Sequence, residues 1–245
     1  MSTTINNNNI MDVRIFNSRP EMGAAAAKAV STRLKELQQN QAEINMIFAA
    51  APSQNEFLEN LITEDVDWSR INAFHMDEYI GLDESAPQGF GNFLRDRIFS
   101  KLPFKSVNYL KDLEYAALLN DFPVDIVCMG IGENGHLAFN DPPVADFKDT
   151  EIVKRVELDL ACRQQQVNDG CFESLDEVPT HALTLTIPAL VKAKHLFVVV
   201  PGPAKAQAVY NTLHQAVLEA YPSTILRSHP SAILFLDQDS STLIA

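Results

Sequence analysis

The chain has no apolar run long enough to cross a membrane. No cluster of Lys and Arg stands out against a formal net charge of -13, so nucleic acid and anionic membrane surfaces are not expected partners. Cysteines number three, Cys128, Cys162 and Cys171. An odd number with no zinc-type spacing excludes a disulfide framework and points to a reducing compartment. The opening MSTTINNNNIM lacks the charged and apolar regions of a signal peptide, so a cytoplasmic protein is expected, with residues 1–10 as a disordered polar tail. There is no Walker A loop and no G-x-S-x-G elbow, which weakens NTPase and serine hydrolase readings. No Cys/His/Asp set has metal spacing, so no bound metal is expected.

What is present is a core-forming composition: 245 residues, 46% hydrophobic and 21% charged. Short strand-like runs alternate with helical patterns. INMIFAA (44–50), INAFHM (71–76), VDIVCM (124–129), HLFVVV (195–200) and AILFL (232–236) read as buried strands, and ALTLTI (182–187) as a strand with a polar face. Helices are expected over 20–39, 53–61, 88–99, 112–119 and 203–218. This alternation predicts a single α/β domain over 11–245, an open, mostly parallel Rossmann-like sheet with helices on both faces. The polar segment 142–178 reads as a lid or an excursion from the core.

Ligands of such sheets bind at the carboxyl ends of the strands. Four of these ends carry chemistry: AAPSQNE, DEYIGL, GIGENGH and PGPAK. In GIGENGHLAFNDPP (130–143), glycines shape a tight turn and His136 is the one imidazole. A lone histidine in a turn is ordinarily a packing residue. Flanked by Glu133, Asn134 and Asp141 at a strand end, His136 becomes a catalytic candidate. Asp77 and Glu78 follow an apolar strand and point to opposite sides, so one carboxylate can face a pocket. Lys205 in the first turn of a helix, and Ser53 at the start of another, are candidate phosphate ligands.

MDEYIGL together with GIGENGHLAFNDP resembles the glucosamine-6-phosphate deaminase (isomerase) family, whose second motif runs G-x-G-x-x-G-H-x-A-F-N-E-P. PQGFGNFLRDRIF, VPTHALTLTIPAL, PGPAKAQAV and STILRSHPSAILFLD extend the likeness over most of the chain. The related 6-phosphogluconolactonases continue after G-H-x-A with S-L-F-P and carry D-E-R, so F-N-D-P and D-E-Y lie on the deaminase side. The resemblance implies conversion of an amino-sugar 6-phosphate, glucosamine 6-phosphate or its galactosamine analogue, to a ketose phosphate and ammonia, with no metal or organic cofactor because the substrate's own carbonyl and amine carry the chemistry; the chain can form homo-oligomers. It gives Asp77 the proton transfer between C2 and C1, His136 the opening of the sugar ring, and Asp141, with Asn134 beside it, the support of that histidine. It gives Ser53, Lys205, Glu78, Gly132 and Gly135 to substrate and phosphate binding. A lactonase of sugar phosphates and a non-catalytic sugar-phosphate sensor are the alternatives.

Four positions depart from the family form. A-P-S-Q replaces the phosphate loop G-G-T-P. The family's phosphate-binding arginine falls near Gly170, which leaves Arg163 as a substitute. Asn134 replaces an aspartate, and Asp141 is one methylene shorter than the usual glutamate.

Overall fold

A computed structural model describes residues 3–5 and 11–244. The main sheet has eight strands. Seven are parallel: β2 (Asp12–Phe16), β3 (Ile44–Phe48), β4 (Ile71–His75), β6 (Ser106–Asn108), β7 (Ile126–Met129), β10 (His195–Val200) and β11 (Ala232–Asp237). The eighth, β1 (Thr3–Ile5), runs antiparallel on β2. Thus part of the segment expected as a disordered tail forms an edge strand, and the rest of that tail lies outside the described residues.

The order is β1-β2-β11-β10-β7-β3-β4-β6. From β3 the chain winds to β4 and β6 on one side, then returns to lay β7 on the other. The switch point therefore falls between the carboxyl ends of β3 and β7, where side chains are free to converge on a ligand. Strands β3, β4 and β7 are buried at every residue, which is why they read as continuous apolar runs.

Helix α1 (Arg19–Gln38) starts at Ser18, whose hydroxyl accepts from Glu21 N, and buries Met22, Ala26, Ala27 and Val30. Its small residues let α2 (Asn55–Leu61) pack close, and the backbone of Glu56 and Phe57 abuts Gly23. The expected helix 53–61 is divided, with a 3-10 turn over Pro52–Gln54 before α2. Ser53 thus sits inside the turn and is not an N-cap. The expected helix 88–99 is α3 (Phe90–Leu94) continued by a π-turn over Arg95–Phe99. Helix α4 (Tyr115–Asp121) occupies the place of 112–119.

A second sheet was not anticipated. β5 (Asp77–Tyr79), β9 (His181–Leu185) and β8 (Val153–Glu157) form an antiparallel unit in the order β5-β9-β8. Residues 182–185 of the alternating segment 182–187 belong here and not to the main sheet, and the rest opens a helix. Asp77 is itself a strand residue, paired opposite Thr184. Segment 142–178 is structured: it holds β8, helix α5 (Leu160–Asn168) and a 3-10 turn over Leu175–Glu177. Short helix α6 (Ile187–Val191) begins at Thr186, whose hydroxyl accepts from Ala189 N. Helix α7 (Ala206–His214) follows a 3-10 turn over Pro203–Lys205. Among the described residues no helix is long and apolar enough to cross a membrane.

Candidate active site

A cavity of about 60 Å³ opens at the switch point. The end of β3 contributes Ala49 to Ala51, Ser53 and Gln54. The end of β4 contributes Met76 and Asp77, and the turn after β7 contributes Gly130 to Gly132, His136, Ala138 and Phe139. Phe90, Gln165, Gln166 and Lys205 complete the lining. The predicted residues Ser53, Asp77, Gly132, His136 and Lys205 are therefore brought together. Glu78, Asn134, Gly135, Asp141 and Arg163 are not part of the lining.

The turn after β7 is built around the imidazole. A Cβ on Gly132 would lie 2.2 Å from His136 Cε1, so only glycine fits beneath the ring. Gly135 adopts φ 88° and lets the chain reverse, while Gly132 N donates to His136 O at 3.0 Å. Ala138 takes φ 51°, a left-handed conformation that a non-glycine residue holds only under external constraint. The small sheet supplies that constraint. Thr184 Oγ1 accepts from Phe139 N at 3.1 Å, and Asn140 Nδ2 donates to Leu185 O at 2.8 Å. Since Thr184 also faces Asp77 in the ladder, one strand ties the Asp77 segment to the His136 turn.

Behind the ring stand Asn134 and Asp141. Asn134 Nδ2 donates to Asp141 Oδ1 at 2.8 Å, and its Oδ1 accepts from His136 N at 3.1 Å. Asp141, 1% exposed, approaches His136 Nδ1 at 2.9 Å. The approach is at ion-pair distance but off hydrogen-bond alignment, and Nδ1 and Asp141 Oδ2 have no hydrogen-bond partner. Burial pushes the Asp141 carboxyl up, but His136, Asn134 and Cys162 together outweigh it and hold the group below the usual carboxylate range. Asp77 is the opposite case. Burial pushes its carboxyl well above that range, and the charges of Glu78 and Asp141 push the same way. Its desolvation fits a wall of stacked aromatics: Phe90 and Phe139 lie 5.4 Å apart at 12°, with Tyr79 packed against both.

Glu78 has another task. Its carboxylate accepts from the backbone N–H groups of Tyr79, Phe90 and Gly91, at 2.9, 3.0 and 2.7 Å, and so fixes the start of α3 and the aromatic wall. Arg163 is committed as well: its guanidinium donates to Leu175 O and Val178 O, at 2.6 and 2.9 Å. His75, in the same sequence motif as Asp77, is a packed residue. Its Nε2 accepts from Leu110 N, and burial lowers its pKa to about 4.

At the far end Lys205 is 6% exposed, and no carboxylate lies within ion-pair distance among the described residues. Burial lowers its pKa, partly offset by Asp169, Glu133 and Cys162. The loop before it is held by Asp237 at the end of β11, whose two carboxylate oxygens both accept from Gly202 N at 3.0 Å. Beside it lies a wall of amides that sequence reasoning missed. Gln54, 1% exposed, donates to Val199 O at 3.1 Å and to Ser53 Oγ at 3.2 Å, and leaves its own Oε1 unpartnered. Gln165 accepts from Glu133 N at 2.9 Å and donates to Asp169 Oδ2 at 3.2 Å, latching α5 to the glycine turn. The only signal for Gln54 was its place in the altered A-P-S-Q loop. Gln165 and Gln166 lie in a polar stretch without pattern.

Residues 17–235 match the family model described as glucosamine-6-phosphate isomerases/6-phosphogluconolactonase. A glucosamine-6-phosphate deaminase of Bacillus cytotoxicus is 30% identical over 242 residues, 95% of this chain and 89% of that protein. Its counterpart from Streptococcus sanguinis is 32% identical over 206 residues, 80% of this chain and 85% of that one. Among solved structures, a monomeric glucosamine-6-phosphate deaminase superposes with a TM-score of 0.85 at 26% identity, covering 94% of this chain and 99% of that one. A 6-phosphogluconolactonase from Shewanella baltica, with a TM-score of 0.75 and 15% identity over 92% of this chain and 97% of its own, shares the fold alone.

Proposed function

The chain belongs to the glucosamine-6-phosphate isomerase/6-phosphogluconolactonase family, and on that premise we propose that it converts an amino-sugar 6-phosphate and water to the ketose 6-phosphate and ammonia. The observation that carries this reading is the pairing of Asp77 with His136 on one cavity, with the two nearby carboxyls driven in opposite directions. Such a divergence is how two like groups take different roles in proton transfer.

In this reading His136 delivers a proton to the ring oxygen, and the open-chain aldehyde forms at C1. Asp141 lies behind the imidazole and stabilises the charge it carries, while Asn134 orients both without relaying a proton. Asp77, desolvated and hence a stronger base than a solvated carboxylate, removes the C2 proton and returns it to C1. The C2 nitrogen becomes an imine, water adds at C2 and ammonia leaves. The substrate's own carbonyl and amine carry the chemistry. Lys205 faces the phosphate as the cavity's one lysine or arginine, and Ser53, Gln54 and the neighbouring backbone supply neutral hydrogen bonds.

A cavity of about 60 Å³ is far smaller than the roughly 300 Å³ at the low end of small-molecule sites. In this reading α5, which sets Gln165 and Gln166 on the cavity wall, shifts to admit substrate and gives 142–178 the part of a lid. The test is incubation with glucosamine 6-phosphate, galactosamine 6-phosphate and 6-phosphogluconolactone in parallel. Ammonia from an amino sugar supports the reading. Lactone hydrolysis without ammonia moves the chain to the lactonase side, and binding without any turnover makes it a sensor.

A further inference from the structure

Three ligand types of different chemistry converge at one point behind the cavity. His136, Asp141 and Cys162 are all buried, and one ligand atom from each lies within 4.8 Å of the others. The spacing in sequence conceals this: Asp141 follows the glycine turn, whereas Cys162 arrives on α5 after the chain has passed through β8.

Within the cluster His136 Nδ1 faces Asp141 Oδ1 at 2.9 Å but off hydrogen-bond alignment, and Asp141 Oδ2 has no aligned donor. Buried polar atoms are nearly always well satisfied, and an ion between these atoms and the thiol would satisfy both. The surroundings favour a cation. Asp77 and Asp159 add negative charge near the Cys162 thiol beside Asp141. No lysine or arginine pairs with Asp141 among the described residues. A divalent cation neutralises such carboxylates and takes a thiol as thiolate.

The donor set narrows the choice of ion. Imidazole nitrogen, carboxylate oxygen and thiolate sulfur suit zinc and its neighbours, while magnesium and calcium take oxygen. Ligand atoms around tetrahedral zinc stand about 3.4 Å apart, as bond lengths of about 2.0–2.3 Å require. With zinc bound, the ring stands slightly farther from Asp141 Oδ1 than its present 2.9 Å, and the Cys162 side chain closes in from within 4.8 Å.

We propose that His136, Asp141 and Cys162 form an inhibitory site for a divalent cation of the zinc class. Three protein ligands hold the ion and leave a fourth position for water. The ion is not needed for deamination, which balances without it. It captures the imidazole that donates to the ring oxygen. That inhibitory consequence rests on the role given to His136 above; the binding itself does not.

Cobalt reports the site directly, because a thiolate ligand adds a charge-transfer band that nitrogen and oxygen ligands lack. The intact reduced chain is titrated with Co²⁺ and then with Zn²⁺. One Co²⁺ per chain is expected, with the thiolate band, displaced by zinc. Cys171→Ser, which removes the more exposed thiol, keeps the band. Cys162→Ser loses it and weakens zinc by at least about tenfold. Where ammonia release is measured, zinc inhibition shifts by the same factor. A wild-type spectrum without the thiolate band, or a band that vanishes with Cys171→Ser and survives Cys162→Ser, overturns the proposal. The wild-type spectrum decides even where Cys162→Ser does not fold, and it decides even for a chain that releases no ammonia.

Discussion

The two ends of the cavity are built on different principles. At the end proposed for proton transfer the frame is braced: Thr184 and Asn140 fix the turn, Asn134 spans His136 and Asp141, and Glu78 fixes the aromatic wall over Asp77. At the end proposed for the phosphate one buried lysine stands among neutral amides, on a loop held by Asp237. Chemistry that moves a proton between adjacent carbons tolerates little displacement, and a braced frame provides it. An anion can be held by charge and by an adaptable polar wall.

The largest expected effect lies at the braced end. Asp77→Asn removes the base and lowers kcat/KM for the amino-sugar phosphate by about 10²–10⁴-fold. The same change alters stability in the opposite sense. A buried carboxyl whose folded pKa is raised contributes stability in full below its unfolded pKa and loses it as pH rises through the folded value. The asparagine chain therefore matches or exceeds the wild type in Tm at neutral and alkaline pH, as thermal unfolding across pH will show.

Lys205→Met tests the other end. Losing a charge-assisted contact of about 1.5–3 kcal/mol raises KM by about 10–150-fold with a smaller change in kcat. The folded pKa of Lys205 is lowered, so its stabilising share is present only above the unfolded value and is lost as pH falls through the folded one. At neutral pH the methionine chain is expected to unfold at a higher temperature. A fall in kcat as large as the rise in KM would erase the distinction between the two ends.

Asn134→Asp sharpens the comparison within the braced end. A second carboxylate beside Asp141 favours a shared proton, so the acid limb of the kcat/KM profile moves to higher pH. The expected loss at neutral pH is modest, about tenfold or less, as for a limb shift of about one pH unit.

Arg163→Ala has the smallest effect on turnover. Its guanidinium ties the chain near Leu175 and Val178, so Tm falls while KM for the phosphate stays within about twofold, less than the roughly 0.5 kcal/mol of one weak hydrogen bond. A KM change like that of Lys205→Met would place Arg163 on the phosphate.

Much of this frame was legible in the sequence. The parallel strands announced themselves as apolar runs because both their faces are covered, and the loaded strand ends marked the switch point. His136 stood out through the polar residues Glu133, Asn134 and Asp141 around it at a strand end, and Asp77 through its place at a second strand end. The small sheet was not legible. Asp77 to Tyr79 is too short and polar for a strand pattern, and β8, VKRVE, is charged on its outer face. Their pairing is long-range, so nothing local reports it. Arg163 was named by elimination, as the nearest cation to a missing arginine, and only coordinates reveal its bonds to carbonyls. The Cys162 cluster escaped because its ligands sit on separate elements with no fixed spacing.

The central claim meets its most direct test in ammonia release from glucosamine 6-phosphate and galactosamine 6-phosphate, measured side by side for the wild type and Asp77→Asn. The account predicts ammonia in step with ketose 6-phosphate from at least one of them in the wild type, and a loss of about 10²-fold or more in the variant. Folded wild type that releases no ammonia from either sugar, or an Asp77→Asn chain as active as the wild type, contradicts it.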